Sequence, residues 1–417
     1  MVVLIDCDNF FASCERVMQP QYAKRPVVVL SNNDGCVIAR SNEAKAAGVT
    51  MGQPYFLCSE LLGKIGAGVF SANFLLYRHF AKRLQGIFQT LPAQSIDIYS
   101  IDESFIEFKD EQISDPILWG TTLRKLILDW TGIPVSIGIA PSRALAKVAT
   151  RMAKKNPTGV GILKRDDHHS ELFLRSTDIA DVWGIGRKLA PKFKMLGVVT
   201  AWDLTQIEVS SPIMSIIDKP MKELIFQLKG WNVAPPETKL RQSIRRSRSF
   251  SYNVNDSEGI RSSLVDFSSQ IAAKLRDKQL YTSHLKLAIY KKIPHSIRGV
   301  GKYYEEKFDW TNDVFIFSQV AERAAKKLYV AGESYTRAMV YCDNLKIDQQ
   351  LSIEHDHTEA LKKSSLLDAI YELESLYGAA GPQIATKLLS SKWKGKKQLE
   401  SPYNHAAWNK LPPVQAG

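Results

Sequence analysis

The alternation of apolar and polar residues predicts short strands and amphipathic helices over the first 165 residues. Val2–Ile5 is an apolar run typical of a buried strand, and the helix Phe10–Met18 is predicted to follow it. Val27–Leu30 and Cys36–Ala39 are predicted strands, and the Asp-Gly pair at 34–35 favours a hairpin between them. A short helix, Asn42–Ala47, comes next.

The helical period is clearest from Asn73 to Leu91. Further helices are predicted near Pro116–Trp130 and over Ser142–Lys155, with the strand Val135–Ile139 between them. Because strands alternate with helices and a hairpin near residue 100 is antiparallel, this region is predicted to form a ferredoxin-like α+β layer. The length of 417 residues predicts two to four domains for the whole chain.

Two adjacent carboxylates, Asp102 and Glu103, fall at the turn of that hairpin. Negative charge at the edge of a core is costly unless a positive group compensates for it. No Lys or Arg lies within ten residues before the pair, and the nearest one after it is Lys109. A solvated turn is the plain alternative, and it is the commoner explanation of an isolated Asp-Glu pair.

The first strand also ends in acid, at Asp6-Cys7-Asp8. If this end neighbours the hairpin in one sheet, Asp6 meets Asp102 and Glu103, and hard oxygen ligands of this kind suit Mg²⁺. Two such ions about 4 Å apart can hold the attacking and leaving oxygens of a phosphoryl transfer. Asp8 is expected to cap the following helix, which leaves Asp6 as the better ligand.

The net charge of the chain indicates the kind of partner that it binds. The formal net charge of +12 favours a polyanion such as nucleic acid, although a solvated basic surface would give the same value. The five cysteines lack C-x-x-C spacing, which favours a reducing compartment and argues against a zinc site or a disulfide framework. We find no signal peptide and no apolar run near ~18 residues, so we expect a cytoplasmic protein without a membrane segment.

Basic residues mark two candidate phosphate sites. Arg40 and Lys45 flank the helix Asn42–Ala47, where they could contact a phosphate. Beyond residue 165, Gly184 and Gly186 form a Gly-Ile-Gly turn before the basic helical stretch Arg187–Met195. Backbone amides in such a turn, together with Arg187, could bind DNA without reading its sequence.

The rest of the chain is predicted to hold one more α/β unit and a tail. Residues 239–248 carry five positive charges and no acid, which predicts a linker whose Arg245, Arg246 and Arg248 could follow a phosphate backbone. The α/β unit runs from about 250 to 341, with strands at 285–290 and 336–341 and a helix at 318–329. The last seventy residues are polar, and we expect a partly disordered interaction tail.

Four segments together resemble one known family, the Y-family translesion DNA polymerases. They are Asp6–Ala12, Tyr99–Glu103, Trp183–Gly186 and Val29–Arg40, and the last of these narrows the resemblance to the UmuC-type branch. The resemblance implies a right-hand polymerase. Its expected domains are a palm (1–17 and 78–165), fingers (18–77), a helix-hairpin-helix thumb (166–238), a basic linker (239–249), a little finger (250–345) and a C-terminal interaction tail (346–417).

Matched residue by residue, the family's metal-binding acids are Asp6, Asp102 and Glu103, with the main-chain carbonyl of Cys7 as a further ligand. The resemblance also implies that Phe11 stacks under the deoxyribose. Its neighbour Phe10 belongs to the same substrate pocket, and because adjacent helical residues point about 100° apart, we expect Phe10 to face the core.

The resemblance also assigns residues to triphosphate binding and to binding of a sliding clamp. Lys45 and Lys154 match residues that contact the triphosphate. Many family members have Tyr and Arg where this chain has Asn42 and Lys45, and Lys lacks the bidentate fork of Arg. Near the tail, Gln350, Leu351 and Ile353 resemble the start of a sliding-clamp-binding peptide that lacks its final aromatic residue.

The resemblance implies error-prone DNA synthesis past damaged bases in the bacterial SOS response, with two Mg²⁺ ions as cofactors. The implied partners are primer-template DNA, dNTPs, a processed UmuD-type dimer, a RecA filament and the sliding clamp. Two other functions stay open. A non-catalytic scaffold that binds DNA or a RecA filament would not need the three acids, and a palm-type nucleotidyl cyclase would need neither a thumb nor a basic second domain.

Overall fold

Two structural units make up the computed structural model. The first contains Met1–Pro235 together with Lys397–Gly417, and the second contains Pro236–Lys396. The residues described are 1–109, 112–208, 210–211, 213–214, 217–233, 242–291, 300–347, 357–377, 381–391 and 393–401.

The first unit has eight described strands and ten described α-helices. The strands are β1 (Val2–Cys7), β2 (Val27–Leu30), β3 (Val37–Arg40), β4 (Gly68–Ser71), β5 (Ser95–Ile98), β6 (Glu103–Glu107), β7 (Val135–Ala140) and β8 (Val160–Ile162). The helices are α1 (Phe10–Met18), α2 (Asn42–Ala46), α3 (Tyr55–Lys64), α4 (Phe74–Gln89), α5 (Pro116–Thr131), α6 (Arg143–Ala153), α7 (His168–Arg175), α8 (Ala190–Met195), α9 (Ala201–Thr205) and α10 (Lys219–Leu228).

The main sheet of this unit has the strand order β5-β6-β1-β7-β8. β1 and β5 are both antiparallel to β6, which lies between them, and β7 is antiparallel to β1. In chain order α4 precedes β5 and α5 precedes β7, so the elements follow the split βαβ order of a ferredoxin-like fold. The predicted α+β layer and its acidic hairpin are confirmed.

The strand β1 is buried on both faces, which explains its unbroken apolar run. Val3 and Ile5 belong to a core shared with α1, α4 and α5. Val2 and Leu4 point to the opposite face, where α6 and the helices after residue 165 form a second core. The end of the strand is therefore held between two packed layers, and this fixes the position of Asp6.

The smaller sheet has the order β3-β2-β4 and packs with α2 and α3. Its edge strand β4 is extended by the end of the described chain, since Ser71 N donates to the carbonyl of Leu399 at 2.8 Å. Leu399 also packs against the core of this sheet. This segment belongs to the predicted C-terminal interaction tail, and it is ordered because it docks on an open sheet edge.

The second unit is one antiparallel sheet covered by helices. Its strands are β9 (Ser243–Val254), β10 (Tyr281–Lys291), β11 (Val300–Thr311), β12 (Tyr335–Asp343) and β13 (Leu345–Lys346), and its α-helices are α11 (Ser257–Asp277), α12 (Val314–Leu328) and α13 (His357–Tyr377). The sheet order is β11-β10-β12-β9, and β13 pairs with β10.

Two sequence predictions change in this unit. The basic segment predicted as a linker over 239–249 is strand from Ser243 onward, because Arg245 to Arg248 pair with β12. Trp393, in the predicted tail, is only 2% exposed and belongs to the core of this unit. Among the described residues, no helix has both the length and the apolar composition needed to cross a membrane.

Candidate active site

Strand pairing brings the predicted acids together at one end of the neighbouring strands β1 and β6. In the antiparallel pair of β1 and β6, Asp6 lies directly opposite Glu103. The backbone N–H of Cys7 donates to the carbonyl of Asp102 at 2.9 Å, which places the third acid beside the end of β1. Side chains opposite each other in such a pair project from the same face. The two acidic segments, more than ninety residues apart in sequence, therefore share one site.

The side chain of Ser100 stabilises the hairpin turn that contains Asp102. Its hydroxyl donates to Asp102 Oδ1 at 2.5 Å and accepts the backbone N–H groups of Asp102 and Glu103 at 3.2 and 3.0 Å. One hydroxyl thus fixes both the turn and the direction of a carboxylate.

The positive charge that the acid pair requires comes from α6. Lys147 Nζ lies 2.8 Å from both carboxylate oxygens of Glu103, and Lys154 Nζ lies 2.7 Å from Asp6 Oδ1. On the same helix, Arg143 pairs with Asp97 and Glu107 at 2.5 and 3.2 Å. The basic face of α6 is therefore turned toward the carboxylates of the sheet.

Burial and crowding perturb the acids at the end of β1. Burial raises the pKa of Asp6 to about 6, Lys154 opposes this, and the nearby charges of Glu103 and Asp8 add to it. Burial also raises the pKa of Asp8, which accepts a hydrogen bond from Ser136 Oγ at 2.8 Å. The prediction that Asp8 caps α1 is wrong, because Asn9 occupies the N-cap position and makes no side-chain cap bond.

The donor set fits a hard divalent cation. Asp6 and Glu103 are opposed carboxylates whose charge is at present balanced by two lysines, and a bound cation could take over that role. As the side chains stand, no three His, Cys, Asp or Glu residues in the described chain are close enough to hold an ion. Lys147 and Lys154 pair with the carboxylate oxygens of Glu103 and Asp6 that a metal would bind.

Phe10 and Phe11 point in different directions, as their helical spacing predicts. Phe10 is 3% exposed and belongs to the core between the main sheet and its helices. It cannot contact a substrate from that position, so its place among the substrate-pocket candidates is corrected. Phe11 is only partly buried and stacks on Tyr77 with ring centroids 4.4 Å apart.

The candidate phosphate residues of the smaller sheet lie near the start of α1. Asn9 Nδ2 donates to Asn42 Oδ1 at 3.2 Å, which links α2 to the loop that follows β1. Lys45 is exposed on α2. Arg40 instead donates to the carbonyl of Val49, so its guanidinium is partly used within the fold.

An aromatic cluster connects Glu103 to the glycine turn. Lys147 Nζ lies 4.8 Å from the ring centroid of Tyr99 and 5.4 Å from that of Trp183, and Trp183 Nε1 donates to the Tyr99 hydroxyl at 3.1 Å. Trp183 leads directly into the turn, where Gly184 has a φ of 85°. Gly184, Gly186 and Arg187 are exposed, while Ile185 is buried and anchors the turn.

The three arginines of β9 do not share a face. Arg245 pairs with Tyr341, whereas Arg246 and Arg248 pair with Val340 and Ala338, which are buried under the helices. Only Arg245 projects from the face opposite the helices. The candidate clamp residues Gln350, Leu351 and Ile353 lie outside the described residues.

The sequence predicted a basic face on the helix Ser142–Lys155 that includes Lys147, but it assigned no role in the site to Lys147, Glu15 or Tyr77. For Lys147 a signal was present: it lies seven residues before Lys154, about two helical turns, so both fall on one face of α6. Nothing in the sequence pairs Glu15 with Tyr77, since their contact depends on how α1 packs against α4.

Comparison with known proteins finds three family profiles that together match most of the chain. The sequence profile of the impB/mucB/samB family matches residues 5–151. The profile of that family's C-terminal domain matches residues 241–355, and the IMS family HHH motif matches residues 169–198.

Individual relatives cover from 63% to 96% of the chain. The chain is 31% identical to the protein UmuC of Salmonella typhimurium over 96% of this chain and 97% of that protein. It is 29% identical to DNA polymerase IV of Saccharolobus solfataricus over 63% of this chain and 74% of that protein. A Y-family DNA polymerase chimera of Dbh and Dpo4 has a similar fold, with a TM-score of 0.67 and 24% identity over 83% of this chain and 99% of the chimera.

Proposed function

Because this chain belongs to the impB/mucB/samB family, the UmuC-type branch of the Y-family DNA polymerases, we propose that it extends a DNA primer on a template and continues past damaged bases. The observation that carries the proposal is the register that sets Asp6 opposite Glu103, with Asp102 beside them. Three carboxylates at the ends of two neighbouring strands suit nucleotidyl transfer with metal assistance.

In this proposal Asp6, Asp102, Glu103 and the carbonyl of Cys7 would hold two Mg²⁺ ions. When bound, such ions neutralise the charge that develops on the reacting phosphate and its leaving group. The protein positions the carboxylates. The hydrogen bonds of Ser100 direct Asp102, and the bidentate contact of Lys147 directs Glu103.

The nucleotide is held by residues around the ends of β1 and α2. The side chain of Lys154 is 44% exposed, so it can turn from Asp6 toward a triphosphate. Lys45 contributes a second charge from α2, and Phe11 packs under the sugar, where a ribonucleotide's 2′-hydroxyl would collide with its ring. In-line alignment depends on this fit, because a displacement of about 1 Å can cost on the order of 10²-fold in rate.

The DNA is held by its backbone. The amides of Gly184 and Gly186, with Arg187, contact phosphates near the primer, and Arg245, on the open face of β9, contacts the duplex. By its family, the protein acts in the bacterial cytoplasm during the SOS response, with a processed UmuD-type dimer, a RecA filament and the sliding clamp as partners. The clamp contact would use Gln350, Leu351 and Ile353.

Primer extension on templates with and without an abasic site tests the proposal. The wild type should add nucleotides on both, and Asp102→Ala or Glu103→Ala should lower the rate by ~10³-fold or more while DNA binding persists. Asp129→Ala is a matched control, since this carboxylate is exposed on α5 of the same unit. Binding without extension by the wild type would identify a scaffold, and near-normal extension by Asp102→Ala would overturn the mechanism.

A further inference from the structure

Phe11 rests on a ring that has no room to move. Tyr77 of α4 lies parallel to Phe11 within 15°, with a centroid distance of 4.4 Å, and is 0% exposed. Phe74 meets Phe11 edge-on at 5.7 Å. Protein cores are packed nearly as densely as organic crystals, so a buried ring in such a position resists displacement.

Tyr77 is also held at its other end. Its hydroxyl donates to Glu15 Oε1 at 2.8 Å, and Glu15 is 0% exposed. Glu15 lies one helical turn after Phe11 on α1. The same helix therefore holds Tyr77 at two points, by the ring face at Phe11 and by the hydroxyl at Glu15. Hydrogen bonds in such buried surroundings are strong, because no water competes for them.

We propose that Tyr77 is a positioning residue for sugar discrimination, which fixes the Phe11 ring where it excludes a ribonucleotide. The inference rests on the proposed function. The Phe11 ring excludes a 2′-hydroxyl only if the ring cannot move away from it. The residue that packs behind the ring determines how far it can move. Tyr77 occupies the space into which Phe11 would retreat, and Glu15 keeps it there.

The measurement is the ratio of kcat/KM for a deoxyribonucleotide to that for the matching ribonucleotide, in single-nucleotide primer extension. Tyr77→Leu removes the backing ring and should lower this ratio by about tenfold, since shifts of about 1 Å change rates by up to 10²-fold. Tyr77→Phe keeps the ring and removes only the bond to Glu15, so it should lower the ratio by a smaller factor, about threefold.

Phe88→Leu is the matched control. Phe88 is 3% exposed on the same helix, eleven residues and about 16 Å beyond Tyr77, so its truncation also weakens the core without touching Phe11. The ratio of kcat/KM values for the Phe88→Leu variant should equal that of the wild type. An equal fall in Phe88→Leu would show that any weakening of core packing changes the ratio, and would overturn the specific role of Tyr77.

A double substitution separates positioning from direct contact. If Tyr77 acts through Phe11, the ratio for Phe11→Ala should not change when Tyr77→Leu is added. A further fall in the double variant, or wild-type ratios in both Tyr77 variants, would overturn the proposal. Should Tyr77→Leu fail to fold, Tyr77→Phe decides. Absence of any deoxyribonucleotide addition by the wild type would instead refute the polymerase function itself.

Discussion

Lys147 Nζ lies 2.8 Å from both carboxylate oxygens of Glu103, and this contact joins α6 to the acidic end of the main sheet. Both side chains are largely buried, with 16% and 20% of their surfaces exposed. Three aromatic rings, those of Tyr99, Phe105 and Trp183, lie within 6 Å of the ammonium group. The lysine is therefore fixed, and it fixes the carboxylate in turn.

Lys147→Met keeps most of the side-chain length and removes the charge. We expect primer extension to slow by about 10- to 100-fold and to need more Mg²⁺, as is usual when a residue that orients a metal ligand is replaced. The check is the extension rate over a range of Mg²⁺ concentrations. Lys155→Met, at an exposed position just after α6, is the control. An unchanged rate and Mg²⁺ dependence in Lys147→Met would show that Glu103 needs no such support.

The opposed faces of β9 give a prediction for DNA binding. Arg245→Ala should weaken binding to unrelated duplexes by the same factor, and should lower the slope of log Kd against log salt by about one unit for each phosphate that is no longer neutralised. The double variant Arg246→Ala/Arg248→Ala should have a smaller effect, because these residues lie on the side of the sheet that carries the helices. Equal effects in both variants, or an effect confined to one DNA sequence, would argue against the open face as the DNA-binding surface.

The sequence was most informative where one periodic pattern spans a whole element. The apolar run before Asp6 and the hairpin around Asp102 predicted strands at the right places, and their pairing followed from the fold. The partners of the acids could not be predicted as readily, since Lys147 reaches Glu103 only after α6 packs across the sheet.

The C-terminal segment shows the opposite case. From residue 381 to 401 the chain is mostly polar, and Trp393 and Leu399 are isolated among polar residues. Trp393 packs in the core of the second unit, and Leu399 packs against the core of the smaller sheet of the first unit. Anchors of this kind leave no periodic signal, so a prediction of disorder was the natural result.

Leu399→Ala tests whether this docking stabilises the first unit. Leu399 is only partly buried, so its truncation should cost about 1 kcal/mol of unfolding free energy, less than the roughly 2–5 kcal/mol of a fully buried leucine. Thermal unfolding measures the difference. Gln398→Ala is the control, because Gln398 contacts Asp34 through its backbone N–H and its side chain is exposed. Equal melting temperatures for Leu399→Ala and the wild type would mean that the segment binds without stabilising the sheet.

Glu15 predicts a pH dependence of stability. Burial raises its pKa from 4.5 to about 7 in the folded protein, although the hydrogen bond from Tyr77 opposes the shift. Below pH 4.5 the Glu15 carboxyl is protonated in both the folded and the unfolded chain, so its burial does not lower the unfolding free energy. As the pH rises from 4.5 to 7, only the unfolded chain ionises readily, so the folded state loses stability, by about 3 kcal/mol in total.

Glu15→Gln removes this ionisation and keeps the side-chain volume. The difference in unfolding free energy between variant and wild type should therefore shift in favour of the variant from pH 4.5 to 7 and stay constant above that range. Denaturant unfolding at a series of pH values measures it, and the comparison cancels other groups, such as Asp6, that titrate in the same range. Glu60→Gln, at an exposed carboxyl paired with Lys64, should give a flat difference. A flat difference for Glu15→Gln as well would show that the folded protein accommodates the Glu15 carboxylate without cost, and that the charge beside Tyr77 is solvated or neutralised by another group.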